Sequence, residues 1–420
     1  MATATSSPAR TAFSARVGAF LAAEALSAIG TWATMVAIWG YAAYKYHAGA
    51  GDLGLFGLAF GGPAIVFGPV SGAVVDRLGP KATLAGSKVV GIVASLLLLA
   101  AHDFRSLALL SALNGVTLAF LQPALQALPP RIVDDEHLAR TNAMVGLTDQ
   151  LAIVLGPVAA GVSIGAFGFK GAFVFDAATF AVGILALPLI HVRPAVAADG
   201  SEAARMGLRE SLEGWKLIAR SGMLRRTVSC TFSVHLLYGA ALLSEPLYVR
   251  DVLHRSPGTF ASLQTVFGIA LVLGGLVAAR VGDRMTTFGW VVAGVFLSAI
   301  TAVIYLGTHL LPIAYLGVIL WGLATALIFG PSRTVLQRSS PESAHGRVLG
   351  ADLVAGTTGE LIGLGIAAGF VALWGVPWST LTFGLAVGTG AVALWLADRR
   401  DHTSAVLTGD AAEPVAELAV

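Results

Sequence analysis

The chain has very little charge and only one cysteine. Asp, Glu, Lys and Arg make up 12% of its 420 residues, too little to cover a soluble globular protein of this length with polar surface. The lone Cys230 excludes an intrachain disulfide. A formal net charge of +2 supplies no basic surface for nucleic acid. A protein with so little charge and no disulfide is expected to lie in a lipid bilayer, where helix packing holds the fold together.

The motifs of common enzyme classes are also missing. No Gly-x-x-x-x-Gly-Lys-Ser/Thr loop occurs, which excludes ATP hydrolysis by this chain. The string Gly161-Val-Ser163-Ile-Gly165 spells a hydrolase nucleophile elbow, but it lies in an apolar run with no preceding strand. We therefore expect no enzymatic activity, no cofactor, no metal ion and no nucleic-acid partner.

Apolar residues, in contrast, are abundant: they form 56% of the chain and give a mean hydropathy of +0.79. This predicts an all-α integral membrane protein whose 50 glycines let neighbouring helices approach closely. Windows of about 20 apolar residues, enough to cross a hydrocarbon core of about 30 Å, predict twelve transmembrane helices. The predicted spans are 15–43, 53–75, 82–101, 106–128, 143–166, 171–191, 223–248, 258–280, 286–307, 311–332, 348–372 and 377–397.

A long polar segment divides these spans into two pseudo-symmetric six-helix bundles, and we expect a short amphipathic helix within it at residues 208–219. Because 21 of the 26 Lys and Arg fall on one side of the spans, that side is predicted to be cytoplasmic in a multi-pass protein of the cell membrane. The predicted regions are a cytoplasmic N-terminal tail (1–14), the N-terminal bundle (15–192), a cytoplasmic central linker (193–222), the C-terminal bundle (223–397) and a cytoplasmic C-terminal tail (398–420).

A polar hairpin between the second and third spans carries the most distinctive motif. Its sequence is Gly72-x-x-x-Asp76-Arg77-x-Gly79-Pro80-Lys81, and the eighth span is followed by the echo Gly275-x-x-x-Ala279-Arg280-x-Gly282-Asp283-Arg284. An echo between two halves is typical of transporters built by duplication. The Asp76 carboxylate can pair with Arg77 or Lys81, or face the N-terminus of a neighbouring helix, and so hold a gate shut. The alternative is that the charges only set the topology.

The hairpin signature resembles that of the major facilitator superfamily, with Pro80 where the family usually has Arg. The resemblance implies a secondary transporter whose two bundles rock around a central cavity, with the hairpin bracing the outward-open state against the eleventh span. Residues 122–129, 140–142, 156–157 and 175–180 resemble the bacterial exporters of drugs, macrolides and siderophores. Gly156-Pro157 in the fifth span is similar to the bend motif of exporters; plain helix packing is the alternative interpretation.

Polar side chains inside the predicted spans mark the candidate sites, because charges within a bilayer are costly and usually functional. We predict Glu24, near the middle of the first span, as the leading proton or cation site; a hydrogen bond to another helix is the alternative. Asp176 better fits a helix-start or interhelix contact. The candidate substrate- or proton-binding residues are Glu24, Ser27, Thr31, Asn114, His235, Tyr238, Glu245 and Glu360. The candidate gating residues are Gly72, Asp76, Arg77, Gly79, Lys81, Asp149, Gly156, Pro157, Arg280, Asp283, Arg284 and Asp352.

The predicted function is export of an amphipathic, drug-like or cationic small molecule by proton antiport, carried out by a monomer. Many proton-linked members of the family have an Arg in the fourth span four residues before a glycine, whereas this chain has Ser111 before Gly115. Coupling must therefore use another residue or another energy source. The alternatives are export of a siderophore or other endogenous metabolite, uptake of a nutrient, and a transporter-like membrane sensor.

Overall fold

The computed structural model describes residues 8–193, 213–281, 287–341 and 344–408, which are almost entirely helical. Within this part of the chain, eleven helices are long and apolar enough to cross a membrane. The last of them is two helices joined at Gly375, whose φ of +76° interrupts the helical backbone. The predicted all-α architecture of twelve transmembrane helices is therefore confirmed.

The chain divides into two compact units: unit 1 is Met1–Ala48 with Leu55–Ala204, and unit 2 is Gly49–Gly54 with Arg205–Val420. The helices of the first half are α1 (Pro8–Gly40, continued by a π-helical turn Tyr41–Lys45), α2 (Ala50–Leu78), α3 (Pro80–Leu97), α4 (Phe104–Gln126), α5 (Pro129–Ile132), α6 (Asp135–Phe167) and α7 (Phe169–Ala186). Those of the second half are α8 (213–220), α9 (Gly222–Leu247, continued by a π-helical turn Tyr248–Val252), α10 (Pro257–Val281), α11 (Phe288–Leu306), α12 (Leu311–Arg338) and α13 (His345–Thr408).

Several helices are longer than their apolar windows. The segment 129–142, which lies between the predicted fourth and fifth spans, is mostly helical, because α5 occupies its start and α6 begins at Asp135. The final helix continues past residue 397 to Thr408. Residues 213–220 of the predicted linker helix are helical, and 194–212 lie outside the described part. The backbone groups of a helix are hydrogen-bonded to one another, so a helix can continue from the bilayer into water. Hydropathy predicts only the part of each helix that lies in lipid.

The two units repeat local backbone features at an offset of 207 residues. Gly168 joins α6 to α7 with φ +69°, and Gly375 joins the two parts of α13 with φ +76°. His47 and His254 each have φ +52° and each follow a π-helical turn. The helix ends of the two halves are thus built in the same way, as duplication predicts.

The same offset relates two close helix contacts. A Cβ added to Gly115 of α4 would collide with the carbonyl oxygen of Phe60 on α2, and one added to Gly322 of α12 would collide with that of Phe267 on α10. Only glycine permits such close approach of two helix backbones. These contacts place α2 against α4 in unit 1, and α10 against α12 in unit 2.

An apolar cluster in unit 1 holds together the helices that carry the candidate site. Phe20 of α1, Leu84 of α3, Ala124 of α4 and Phe180 of α7 are almost completely buried within it. Inside a bilayer, the van der Waals contacts of such closely packed side chains hold the helices together. Polar residues on the neighbouring turns of these helices are therefore held inside the bundle, away from lipid.

Candidate functional site

The polar face predicted on α1 meets a buried cation from α3. The Nζ atom of Lys88 lies 3.1 Å from Oε2 of Glu24, and the two side chains are 0% and 2% exposed. Lys88 also donates a hydrogen bond of 2.9 Å to Oγ of Ser27, one turn along α1 from Glu24. The predicted acid is therefore not alone: Lys88 neutralises its charge inside the bundle, and the Ser27 hydroxyl accepts a hydrogen bond from that lysine.

The surroundings of Lys88 are shaped to hold a long basic side chain. Its Nζ lies 5.6 Å from the ring centroid of Phe180, within the range of a cation–π interaction. A Cβ at Gly183 would lie 2.6 Å from the same nitrogen, so the absence of a side chain there makes room for the ammonium group. Both residues come from α7. Three helices, α1, α3 and α7, thus fix the position of one cation.

Asp176 forms a second buried polar centre beside this pair. Its carboxylate accepts hydrogen bonds from Oγ of Ser95 on α3, at 2.8 Å, and from Oγ1 of Thr31 on α1, at 3.4 Å. Thr34 adds a bond from its Oγ1 to the Ala172 carbonyl at 3.2 Å. Asp176 is completely buried. It therefore ties α7 to α1 and α3, the interhelix contact expected for it, rather than lining the cavity described next.

Glu24, Ser27 and Thr31 line a cavity of about 220 Å³ inside unit 1. Its other walls are mainly apolar or aromatic and include Trp32, Met35, Phe60, Leu118, Leu121 and Gln122. The second carboxylate oxygen of Glu24, Oε1, has no hydrogen-bond partner among the described residues. The cavity thus combines a mainly apolar wall with one carboxylate residue, Glu24. Asn114 and Thr117 line a small gap that shares Thr31 and Phe60 with this cavity.

In unit 2 the candidates on α9 lie in an aromatic cluster. The Tyr238 hydroxyl is hydrogen-bonded to Oγ1 of Thr325 on α12, and its ring lies 5.4 Å from that of Trp321. Tyr238 also stacks on Phe329 at 6.1 Å, and His235 meets Phe329 edge to face at 5.6 Å. The structure therefore brings two of the predicted residues together with three from α12.

The two remaining acidic candidates of unit 2 lie on α9 and α13. Glu245 is buried near the end of α9 and accepts a hydrogen bond from the side chain of Gln264 on α10. Glu360 is half-buried on α13, where its backbone packs against Gly239 of α9. Neither lines the unit 1 cavity, and their proposed roles in binding stay predictions.

The hairpin is a tight turn at the surface of unit 1. Gly79, with φ +81°, ends α2, and Pro80 begins α3. Asp76 and Arg77 are exposed and form no ion pair within the described part of the chain. Lys81 instead donates a hydrogen bond of 2.9 Å to the Ile190 carbonyl beyond α7. The anticipated pairing of Asp76 with Arg77 or Lys81 is therefore not formed.

The other candidate gating residues are dispersed. Gly72 is exposed near the end of α2, with open space where a side chain would be. Gly156 and Pro157 are buried in α6, and Gly156 packs directly on Trp32 of α1. Asp352 is half-buried and makes no ion pair among the described residues. Arg280 is exposed at the end of α10. The remaining three, which lie outside the residues or side chains that the structure describes, are Asp149, Asp283 and Arg284.

Sequence reasoning missed the residues that complete both clusters. Lys88 is the one basic residue inside the apolar run of α3, and basic residues within a span mark function as acids do. The charge count places Lys88 with the cations of the predicted cytoplasmic side; because its side chain is buried, it belongs to neither side, and most of the remaining cations still fall on that side. Trp321 and Thr325 are four residues apart and so lie on the same face of α12, which helical periodicity in the sequence also indicates.

Comparison with known proteins gives the family. The chain matches the model of the Major Facilitator Superfamily over residues 20–244 and 227–418, which together cover most of its length. It is 23% identical over 388 residues to the uncharacterized MFS-type transporter YfiS of Bacillus subtilis, covering 89% of this chain and 91% of YfiS.

Two further relatives have named activities. The multidrug transporter MdfA of Escherichia coli O6:H1 is 25% identical over 269 residues, which is 62% of this chain and 63% of MdfA. The enterobactin exporter EntS of Escherichia coli O1:K1 is 25% identical over 333 residues, 77% of each chain.

A solved structure shows the same fold. The crystal structure of a bacterial homologue of the human lysosomal transporter Spinster, in an inward-facing and unoccupied conformation, aligns with a TM-score of 0.71 at 13% identity. The alignment covers 92% of this chain and 97% of that one. The chain therefore belongs to the Major Facilitator Superfamily and is a multi-span membrane transporter of small molecules, not an enzyme.

Proposed function

We propose that this protein exports an amphipathic, cationic small molecule in exchange for protons. The observation that carries the proposal is the buried Glu24–Lys88 pair in the wall of a mainly apolar cavity. Such a wall suits the apolar body of a substrate, and the carboxylate suits a positive charge or a proton.

The ion pair gives a physical basis for exchange. An unpaired carboxylate buried in the bundle would cost several kcal/mol, and Lys88 offsets that cost while the site is empty. A cationic substrate has to approach the same carboxylate, where Oε1 lacks a partner among the described residues. Protonation of Glu24 removes the negative charge that holds a cation. Proton and substrate therefore compete for one group, which is the requirement for antiport.

The cavity wall also favours a cation with an aromatic or aliphatic body. Trp32 and Phe60 supply aromatic rings for a cation–π interaction, and Met35 adds a flexible apolar surface. A cavity of about 220 Å³ is smaller than the roughly 300–1,000 Å³ of typical small-molecule sites. We infer that unit 1 holds the charged part of a substrate rather than the whole molecule.

The proposal also covers the orientation of the protein in the membrane and its gating elements. The positive charges favour an orientation with both termini in the cytoplasm and the transporter in the cell membrane. Family membership favours rocking of two bundles by a monomer, with the hairpin around Asp76 and the bend at Pro157 as gating elements.

The test uses everted membrane vesicles energised with a proton gradient and a panel of lipophilic cations. We expect accumulation of at least one cation that a protonophore abolishes. The double variant Glu24→Gln/Lys88→Gln removes the charges together and should lose protonophore-sensitive accumulation while keeping downhill exchange. A matched control, Arg226→Gln/Asp398→Asn, removes another ion pair, 3.0 Å long and 12–14% exposed, from unit 2. If the double variant accumulates cations as the wild type does, Glu24 is not the coupling site.

Export of a siderophore is the second candidate, favoured by the relationship to the enterobactin exporter EntS. A catecholate siderophore carries negative charge or hydroxyl groups, for which the Glu24 carboxylate is unsuitable unless it is protonated. Loss of siderophore from the medium of a deletion strain, with no change in resistance to lipophilic cations, would favour this alternative.

A further inference from the structure

A basic crevice opens at the surface of unit 1, beside the hairpin and away from the Glu24 cavity. It has a volume of about 720 Å³ and is bounded by the turn after α2, the start of α3, α5 and the segment after α7. Four cationic side chains line it: Arg77, Lys81, Arg131 and Arg193. Asp76 is the one acidic residue in the lining.

The cations of the crevice are only partly neutralised. Arg193 forms an ion pair with Asp134, and Lys81 uses one donor on the Ile190 carbonyl. The guanidinium groups of Arg77 and Arg131 have no partner within the described part of the chain. The guanidinium groups of Arg77 and Arg131, together with Lys81, provide the multiple donors with which proteins bind phosphate oxygens.

The crevice continues into an apolar groove. Leu78 and Ala82 line both the basic crevice and a second depression of about 230 Å³ on α2, α3 and α4. The other residues that line this depression are mostly apolar: Val74, Gly86, Val90, Val116 and Phe120, with Thr83, Ser87 and Thr117. A free phosphate ion would use only the basic part. A molecule with an anionic head and a hydrocarbon chain would use both parts.

We propose that this surface binds a phospholipid with an anionic headgroup. The phosphate contacts Arg77, Arg131 and Lys81, and one acyl chain lies along the apolar groove past Leu78. Basic pockets at the ends of membrane helices are suited to such headgroups by charge and depth. Because the site lies outside the Glu24 cavity, lipid binding there can be measured without transport of a substrate.

The test is native mass spectrometry of the detergent-solubilised protein titrated with dioleoylphosphatidylglycerol, with dioleoylphosphatidylcholine as the lipid control. Retention of phosphatidylglycerol is expected to exceed that of phosphatidylcholine. The variant Arg77→Gln/Arg131→Gln should weaken phosphatidylglycerol binding about fivefold for each charge removed, about 25-fold in all. Both side chains lack partners in the described part, so their replacement leaves no group unpaired; thermal unfolding verifies that the variant is folded. Lys45→Gln/Arg105→Gln, exposed cations at other helix ends of unit 1, is the matched control.

Three results would overturn the proposal. The first is equal binding of phosphatidylglycerol by the wild type and the Arg77→Gln/Arg131→Gln variant. The second is equal retention of phosphatidylcholine and phosphatidylglycerol, which would show that headgroup charge does not matter. The third is complete displacement of the lipid by millimolar inorganic phosphate, which would identify a free-phosphate site.

Discussion

Lys88 of α3 places its ammonium nitrogen 3.1 Å from the Glu24 carboxylate of α1, and both side chains are buried. An isolated charge is costly in a membrane protein's interior, so each residue makes the other tolerable. The same lysine donates to Ser27, which extends the polar contact by one turn of α1. The predicted acid is therefore part of a site with no net charge, and the net charge of this site changes when a proton or a cation binds.

The pair makes a definite prediction for stability. Glu24→Gln should destabilise the protein by about 3–5 kcal/mol, because it removes the carboxylate that is paired with the buried, charged Lys88. The double variant Glu24→Gln/Lys88→Gln should be more stable than the single variant, since neither charge of the pair remains. Thermal unfolding of the solubilised proteins measures both. Equal melting temperatures for the single variant and the wild type would show that the pair does not contribute to the fold.

The repeated glycine contacts predict a packing effect in each unit. Gly115→Ala and Gly322→Ala should each cost about 1–3 kcal/mol, because the added methyl group meets the backbone of Phe60 or Phe267. Gly146→Ala and Gly365→Ala are matched controls, since nothing lies within 4 Å of their added Cβ. Helix propensity makes alanine neutral or stabilising by up to about 1 kcal/mol at such positions. A control that unfolds as early as the contact variants would contradict this account.

A substitution at Asp76 in the hairpin should change the rate of transport without changing the stability of the fold. Asp76 is exposed and has no ion-pair partner in the described residues, so Asp76→Asn should leave the melting temperature unchanged. If the carboxylate biases the gating equilibrium, transport should fall by about tenfold, within the usual range of coupling energies. Initial rates in vesicles decide the matter. Normal transport by the variant would remove Asp76 from the gate and leave it a topological charge.

The aromatic cluster of unit 2 can be tested through one hydroxyl group. Tyr238→Phe removes the bond to Thr325 while keeping the ring against Trp321, and should cost about 1 kcal/mol. Thr325 keeps its bond to the Trp321 carbonyl, so no buried donor is stranded. If Tyr238 also contacts substrate, the KM of Tyr238→Phe should rise beyond that of Thr325→Val. Identical KM values for the two variants would assign the hydroxyl a structural role only.

Sequence patterns were sufficient for the features that depend on local composition. Hydropathy predicted twelve spans, and the polar hairpin motif marked the turn at Gly79, because lipid solvation and backbone conformation act on each segment separately. The α1 stripe through Glu24 and Thr31 followed from helical periodicity, and the family followed from the hairpin motif around Asp76.

Partners were decided by tertiary structure. Lys88 meets Glu24 although 64 residues separate them, and Asp176 meets Ser95 across 81 residues. Lys81 contacts the Ile190 carbonyl rather than the nearby Asp76. Its position in the first turn of α3 places its side chain next to the segment that follows α7. The sequence by itself determined which segments enter the membrane and which residues are too polar to face lipid. Which polar groups neutralise one another was decided only by the packing of helices that are distant in sequence.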